Sequence, residues 1–200
     1  ASLDSIRAAS QVTPVVVQYP VNPGPDFNAF IDVLLMKMYK FKGDTGIREE
    51  LDIPAEEMER ATELNRILTE AAAENDEALM ELYFEKGVLT QDELRSGLKL
   101  GLAKRDLIPV FCASGKRDIG AKRLMEFIIN VAPGPLKAPN FITVDGREIE
   151  PDSNGPTALF VFKTTVEPHL GEVTYFRVVS GKVTEGMELV NSKTGNKEKI

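Results

Sequence analysis

The chain has 200 residues, room for one or two domains of ordinary size. Its 42% hydrophobic and 28% charged residues are usual for a globular protein and argue against wholesale disorder. Thirty-one acidic against 24 basic residues give a formal charge of −7, which argues against a chain that grips nucleic acid by bulk charge and leaves only a local basic patch open.

Cysteine and histidine usage narrows the chemistry. The single cysteine, Cys112, rules out an internal disulfide and points to a cytoplasmic chain. No run approaches the roughly 20 apolar residues of a membrane helix, and residues 1–10 carry no hydrophobic signal region, so neither a membrane partner nor export is expected. One histidine, His169, beside one cysteine leaves no ligand set for zinc and no Cys/His or Ser-His-Asp hydrolase.

In chain order, Leu3, Ile6 and Ala9 have helical spacing, so residues 1–10 read as the tail of an amphipathic helix. Pro14–Gln18 is a β-branched run suited to a buried strand, and Asn22-Pro23-Gly24-Pro25 breaks the chain. Phe30–Met36 and Met38–Phe41 read as neighbouring antiparallel strands, with a turn at Gly43–Gly46. From Pro54 the period changes to 3.6: Met58, Ala61, Leu64, Leu68 and Ala71 make an apolar stripe reaching about Asn75. A second helix covers Asp76–Lys86, with Leu79, Leu82 and Tyr83 inward and Gly87 as its stop. A third begins at Thr90, where Thr90-Gln91-Asp92-Glu93 is a capping box; Gly97 and Gly101 weaken it and suggest a close backbone approach.

Leu107–Ala113 is another buried-strand run, followed by a polar turn, Ser114–Gly120, and a helix with Leu124, Phe127, Ile128 and Val131 on one face. Strand, loop and helix in that order place the loop at the strand's carboxyl end, where open α/β sheets bind ligands. Ala132–Asn140 holds Pro133, Pro135 and Pro139 and reads as an interdomain linker. Beyond it, Ala158–Val166, Val173–Val179 and Met187–Asn191 alternate apolar with polar, between Gly171, Gly181, Gly186 and Gly195. They suggest a small antiparallel barrel that is cut off.

Several stretches together carry a family resemblance. Val110-Phe111-Cys112-Ala113-Ser114-Gly115-Lys116-Arg117-Asp118-Ile119-Gly120 resembles the guanine-recognition segment of the bacterial elongation factor G family of translational GTPases, a strand ending in Cys-Gly-Ser-Ala. Phe30-Ile31-Asp32-Val33-Leu34 resembles that family's Gly-Val-Ile-Asp-Leu strand, and Glu77–Tyr83 its Asp-Glu-Leu-Met-Glu-Lys-Tyr helix. Val131-Ala132-Pro133-Gly134-Pro135 resembles the Leu-Pro-Ser-Pro that closes the GTPase domain. His169-Leu170-Gly171 and Phe176–Gly181 resemble the opening strands of its β-barrel domain. The likeness runs collinearly over nearly the whole chain.

The resemblance implies an α/β fold: residues 1–135 as the rear part of a P-loop GTPase domain with an α+β insertion at about 21–105. A linker at 136–155 and the first half of an antiparallel β-barrel at 156–200 would follow. It implies a parent that promotes ribosomal translocation or recycling with GTP/GDP and Mg²⁺. Ser114, Gly115 and Lys116 would face guanine O6 through backbone N–H groups, and the ribosome (its RNA and its stalk protein), not DNA, would be the partner. Gly115 stands where the family prefers alanine, which keeps the donor but loosens the loop. With the shorter, Pro-rich approach to the insertion, it hints at a divergent paralogue.

The phosphate-cradling Gly-x-x-x-x-Gly-Lys-Ser/Thr is missing, with no convincing Asp-x-x-Gly and no Asn-Lys-x-Asp; Asn196-Lys197-Glu198-Lys199 lacks the aspartate. The expectation is therefore an internal fragment that has no catalytic residues of its own, binds no cofactor or metal alone, and hydrolyses GTP only as part of the intact protein. Two other readings stay open: a stand-alone protein-interaction module, and a small-molecule enzyme using Ser114–Gly120 as a phosphate site.

Each functional reading has a plainer rival. The acids Glu56, Glu57, Glu59, Glu70, Glu74, Asp76 and Glu77 could dock the stalk protein or simply solvate helices. Arg177 and Lys182 could meet ribosomal RNA phosphates or be ordinary surface charges. His169 reads as structural, Cys112 as a small core hydrophobe, and Glu49/Glu50 as polar flanking sequence with no acid/base pocket.

Overall fold

A computed structural model describes residues 2–10, 12–137 and 139–200. Ala1 of the expected N-terminal helix and Ala138 of the Pro-rich segment lie outside the described residues. The chain divides into two compact units, Ala1–Pro133 and Gly134–Ile200.

In the first unit, α1 (Ser2–Ala9) leads into β1 (Thr13–Val16). The chain bends at Val17 and opens a second sheet with β2 (Gln18–Pro20), β3 (Ala29–Asp32), β4 (Lys37–Phe41) and β5 (Arg48–Leu51). Their order is β2-β3-β4-β5 and every pair is antiparallel. Three helices follow: α2 (Ala55–Ala73), α3 (Glu77–Lys86) and α4 (Gln91–Lys104). Then β6 (Leu107–Val110) lies parallel to β1, Thr13 opposite Leu107 and Val16 opposite Val110, and α5 (Ala121–Val131) closes the unit. A parallel pair needs a long crossover, and the second sheet with its three helices supplies it.

Local chemistry sets the helix ends. The Asp76 carboxylate accepts the Leu79 N–H at 3.0 Å to start α3, and Gly87, at φ 72°, ends it in a left-handed conformation that suits glycine. The Thr90 hydroxyl accepts the Glu93 N–H at 3.3 Å while the Glu93 carboxylate accepts the Thr90 N–H at 2.7 Å, so the expected capping box is present. The glycines of α4 do allow close approach: a side chain at Gly97 would meet the Ala72 carbonyl, and one at Gly101 would meet Leu107.

One core joins both sheets to α2, α4 and α5. Val15, Val17, Ile31, Val33, Leu68, Leu98, Leu107, Phe127 and Val131 are buried together in it. The region read as an insertion therefore shares its core with β1, β6 and α5. A second cluster joins Phe30, Tyr39 and Phe41 of the antiparallel sheet to Ile119, which follows β6 in the chain.

Four expectations for the first unit need correction. The run Phe30–Met36 is a strand only to Asp32, because the Asp32 carboxylate accepts the Leu35 N–H at 3.0 Å and bends the chain into a turn ending at Met36, φ 52°. Leu107–Ala113 is paired only to Val110, because β1 veers away at Val17 and leaves Phe111–Ala113 without a neighbouring strand. On α5, Ile128 is exposed and Arg123 is buried in its place, held by an ion pair. Met58 is exposed too; α2 instead buries Thr69, Ala72 and Ala73 beside Ala61 and Leu68.

The second unit is built from antiparallel pairs. After a 3₁₀ turn at Pro135–Lys137, β7 (Phe141–Ile142) pairs with β8 (Glu148–Ile149), inside the stretch read as linker. The signal was Asp145-Gly146, a hairpin dipeptide with Gly146 at φ 80°. Next, β9 (Ala158–Glu167) pairs with β10 (Gly171–Ser180), and β11 (Glu188–Val190) with β12 (Lys197–Lys199). His169 sits in the turn between β9 and β10. Gly181, at φ 72°, lies against the Thr157 backbone, and its N–H donates to the Asp152 carbonyl at 2.7 Å.

Candidate functional site

The loop Ser114–Gly120 lies between β6 and α5, and its backbone closes on itself. The Ser114 N–H donates to the Ile119 carbonyl at 2.9 Å, and the Ile119 N–H returns to the Ser114 carbonyl at 3.0 Å. Asp118, at φ 50°, and Gly120, at φ 82°, let so short a segment reverse. Of the three candidate residues, Ser114 thus has its amide committed inside the loop. Gly115 and Lys116 are exposed, and their amides meet no acceptor among the described residues. A side chain at Gly115 would have open space around it.

The antiparallel sheet grips this loop from the other side. Ile119 is fully buried among Phe30, Tyr39 and Phe41. Arg117 donates from Nε to the Asp44 carboxylate at 2.6 Å and from Nη1 to the Phe27 carbonyl at 2.8 Å and the Pro25 carbonyl at 3.1 Å. Gly46 abuts the Asp118 carboxylate, and a side chain there would push that carboxylate aside.

A buried polar network, missed in the sequence, lies behind the loop. The Arg123 Nε donates to the Asp32 Oδ2 at 2.7 Å, and the Gln18 Nε2 donates to the same oxygen at 3.1 Å. Both members of the ion pair are almost fully buried. Glu126 extends the network to Arg48 at 3.1 Å, and the Arg48 guanidinium lies 4.7 Å over the Tyr39 ring. Burial, then the nearby Glu50 carboxylate, pushes the Tyr39 phenol up to about 12. The signals were an aspartate inside the apolar run Phe30–Leu35, and an arginine at i, i+4, i+8 spacing with Phe127 and Val131.

Other candidates divide by what they touch. Glu57 accepts the Tyr19 hydroxyl at 3.0 Å, Glu70 pairs with Arg66 and accepts the Tyr83 hydroxyl at 3.1 Å, and Asp76 caps α3. That leaves Glu56, Glu59 and Glu77 exposed on the helices and Glu74 exposed at the end of α2. Glu50 accepts the Tyr39 hydroxyl at 3.2 Å and shares no pocket with Glu49. Arg177 and Lys182 are exposed in the second unit. Cys112 is half-buried just past β6, and burial pushes its thiol up to about 12, which keeps it protonated and inert at neutral pH. Among the described residues no His, Cys, Asp and Glu cluster could hold a metal ion, and no helix is long and apolar enough to cross a membrane.

The free amides of Gly115 and Lys116 suit a carbonyl acceptor such as a purine O6. Among the described residues no carboxylate cluster could hold Mg²⁺, and what this loop offers a ligand is this pair of amides.

Comparison with known proteins agrees with this architecture. Residues 156–200 match the family Elongation factor G domain 2. The whole chain aligns with elongation factor G of Thermotoga maritima at 32% identity, spanning 100% of this chain and 30% of that protein. A crystal structure from Thermus thermophilus superposes with a TM-score of 0.73 and 27% identity, over 99% of this chain and 27% of that one. The chain thus spans under a third of the relatives it matches. The residues that carry the resemblance lie in both units, and the similarity holds from end to end: this mixed α/β chain is homologous to a stretch of elongation factor G that includes its domain 2.

Proposed function

We propose that these 200 residues belong to a GTP-hydrolysing translation factor that acts on the ribosome, in translocation or in recycling. The observation that carries this reading is the 32% identity to an elongation factor G along the full chain. Residues 1–135 then serve as the rear of the GTPase domain with its insertion at 21–105, and 136–155 as the link to a β-barrel portion at 156–200. The β1–β6 pair with its loop at the carboxyl end of β6 supports the first assignment, since ligands settle at that end of open α/β sheets.

In this reading Gly115 and Lys116 offer their amides to guanine O6, and Ser114 shapes the turn that presents them. The phosphates and Mg²⁺ are held by residues outside this stretch, so the chain by itself hydrolyses nothing. Arg177 and Lys182 supply point contacts to ribosomal RNA phosphates, which need placed cations rather than a basic net charge. Glu56, Glu59, Glu74 and Glu77 remain available to a stalk protein, and the protein works in the cytoplasm.

The test is the purified product of the whole source gene, assayed for GTP hydrolysis with and without ribosomes. Hydrolysis that rises with ribosomes is expected. A product that neither hydrolyses GTP nor co-sediments with ribosomes would sink the proposal and favour a nucleotide-blind interaction module.

A further inference from the structure

We infer that Arg117 is a positioning residue through which the antiparallel sheet sets the Gly115 and Lys116 amides, so that guanine affinity depends on Asp44 and the Pro25–Phe27 backbone. The inference rests on the guanine-facing role proposed for the loop. Arg117 immediately follows the two exposed amides, and its side chain leaves the loop altogether. It reaches three acceptors on two other loops, 73 to 92 residues earlier in the chain: Asp44 at 2.6 Å, Phe27 at 2.8 Å and Pro25 at 3.1 Å. A planar guanidinium suits this task, because one fork can hold a carboxylate and backbone carbonyls together in a fixed geometry, which a lysine cannot do.

The neighbouring contacts point the same way. Ile119 is buried under the sheet, so the downstream side of the loop is fixed by apolar contact. The Asp118 carboxylate lies against Gly46, whose φ of 67° suits glycine. Gly115 and Lys116 have neither anchor: both are exposed, and Gly115 has open space around it. Upstream they are tied by the Ser114–Ile119 bridge. Downstream they are tied by Arg117 and by a long hydrogen bond, 3.4 Å, from the Asp118 N–H to the Gly115 carbonyl. Releasing Arg117 leaves β6 and α5 in place and loosens the two amides.

The experiment compares GDP and ADP binding by the intact gene product carrying Arg117→Ala, Asp44→Ala or both. ADP is the internal control, since adenine has an amino donor where guanine has its carbonyl. Each single substitution is expected to weaken GDP binding roughly tenfold, the scale of one charge-assisted hydrogen bond, with ADP binding unchanged. The double variant should lose no more than Arg117→Ala alone, because the Asp44 contact is one of the three that this substitution already removes. Arg117→Lys should not restore affinity. Amide exchange in β6 and α5 matching the parent shows that the fold is intact.

Gly115→Pro and Lys116→Pro, each deleting one amide, separate the two failures. If they abolish GDP binding while Arg117→Ala leaves it unchanged, the positioning role is overturned and the guanine-facing loop stands. If they too leave GDP binding unchanged, the loop does not read the base and both readings fall. Equal weakening of GDP and ADP by Arg117→Ala also overturns the inference, since that marks general loss of structure.

Discussion

The two units stabilise themselves differently. The first buries a continuous apolar core and places a charged pair, Asp32 and Arg123, inside it. Among the described residues of the second, Ser180 alone is buried, while Phe160, Phe162, Val166 and Val178 stand exposed on paired strands. Area removed from water is the main favourable contribution to folding, so most side-chain energy lies in the first unit and the second depends on its ladders and turns. A binding loop needs fixed geometry, and the candidate loop Ser114–Gly120 lies in the unit with the packed core.

The contrast breaks most sharply at the ion pair. Arg123→Ala leaves Asp32 buried with only Gln18 on that oxygen, and should destabilise the first unit by about 3–5 kcal/mol, the usual cost of an orphaned buried charge. Denaturant unfolding followed by probes in each unit checks it; a loss below about 1 kcal/mol, or an equal loss at the second unit's probe, would contradict the assignment.

Cys112 comes next. Its thiol is raised by burial to about 12, so the reactive thiolate is depleted at every pH below that. The native protein at pH 8 should alkylate roughly a thousandfold more slowly than free cysteine, and urea should restore the rate. A native rate within tenfold of free cysteine would mean that this end of β6 is open.

Smaller effects sharpen the comparison. Thr90→Ala removes the hydroxyl half of the α4 capping box and should cost about 1 kcal/mol. The partner carboxylate, Glu93, is held below its ordinary range by the Thr90 hydroxyl and amide. Its contribution is therefore present above the unfolded value near 4.5 and lost as the pH falls through the lower folded value. A Thr90→Ala effect that persists undiminished at pH 3 would show the two halves of the box to be independent. Smallest of all, Phe162→Ala in the second unit should change stability by no more than about 0.5 kcal/mol, since the residue is 60% exposed. A large loss by thermal melting would reveal apolar burial that the strand pairs do not show.

Much of the first unit was legible because its signals are local. The Thr90 capping box, the Gly87 stop, the Pro54 start and the loop after β6 are all set within a few residues by dihedral limits and short hydrogen bonds. The hairpin at Phe141–Ile149 is equally local, yet its strands are only two residues long and follow a proline-rich run that carries the stronger linker signal. The reach of β3 and the buried face of α5 were not legible. Asp32 turns the chain at Val33 and draws Arg123 inward from 91 residues away, a pairing that no periodicity records.

The candidate site divides the same way. By itself the sequence determined the order of strand, loop and helix, the kinship, and the place of Ser114, Gly115 and Lys116 in one short turn. Only the tertiary structure decided that the Ser114 amide is used within the loop, that the Gly115 and Lys116 amides meet no acceptor among the described residues, and that Arg117 and Ile119 tie the loop to another sheet. The physical reason is range. Turns and caps follow from neighbours in the chain, whereas a guanidinium finds its carboxylate, and an isoleucine its aromatic cluster, only after the core has brought distant segments together.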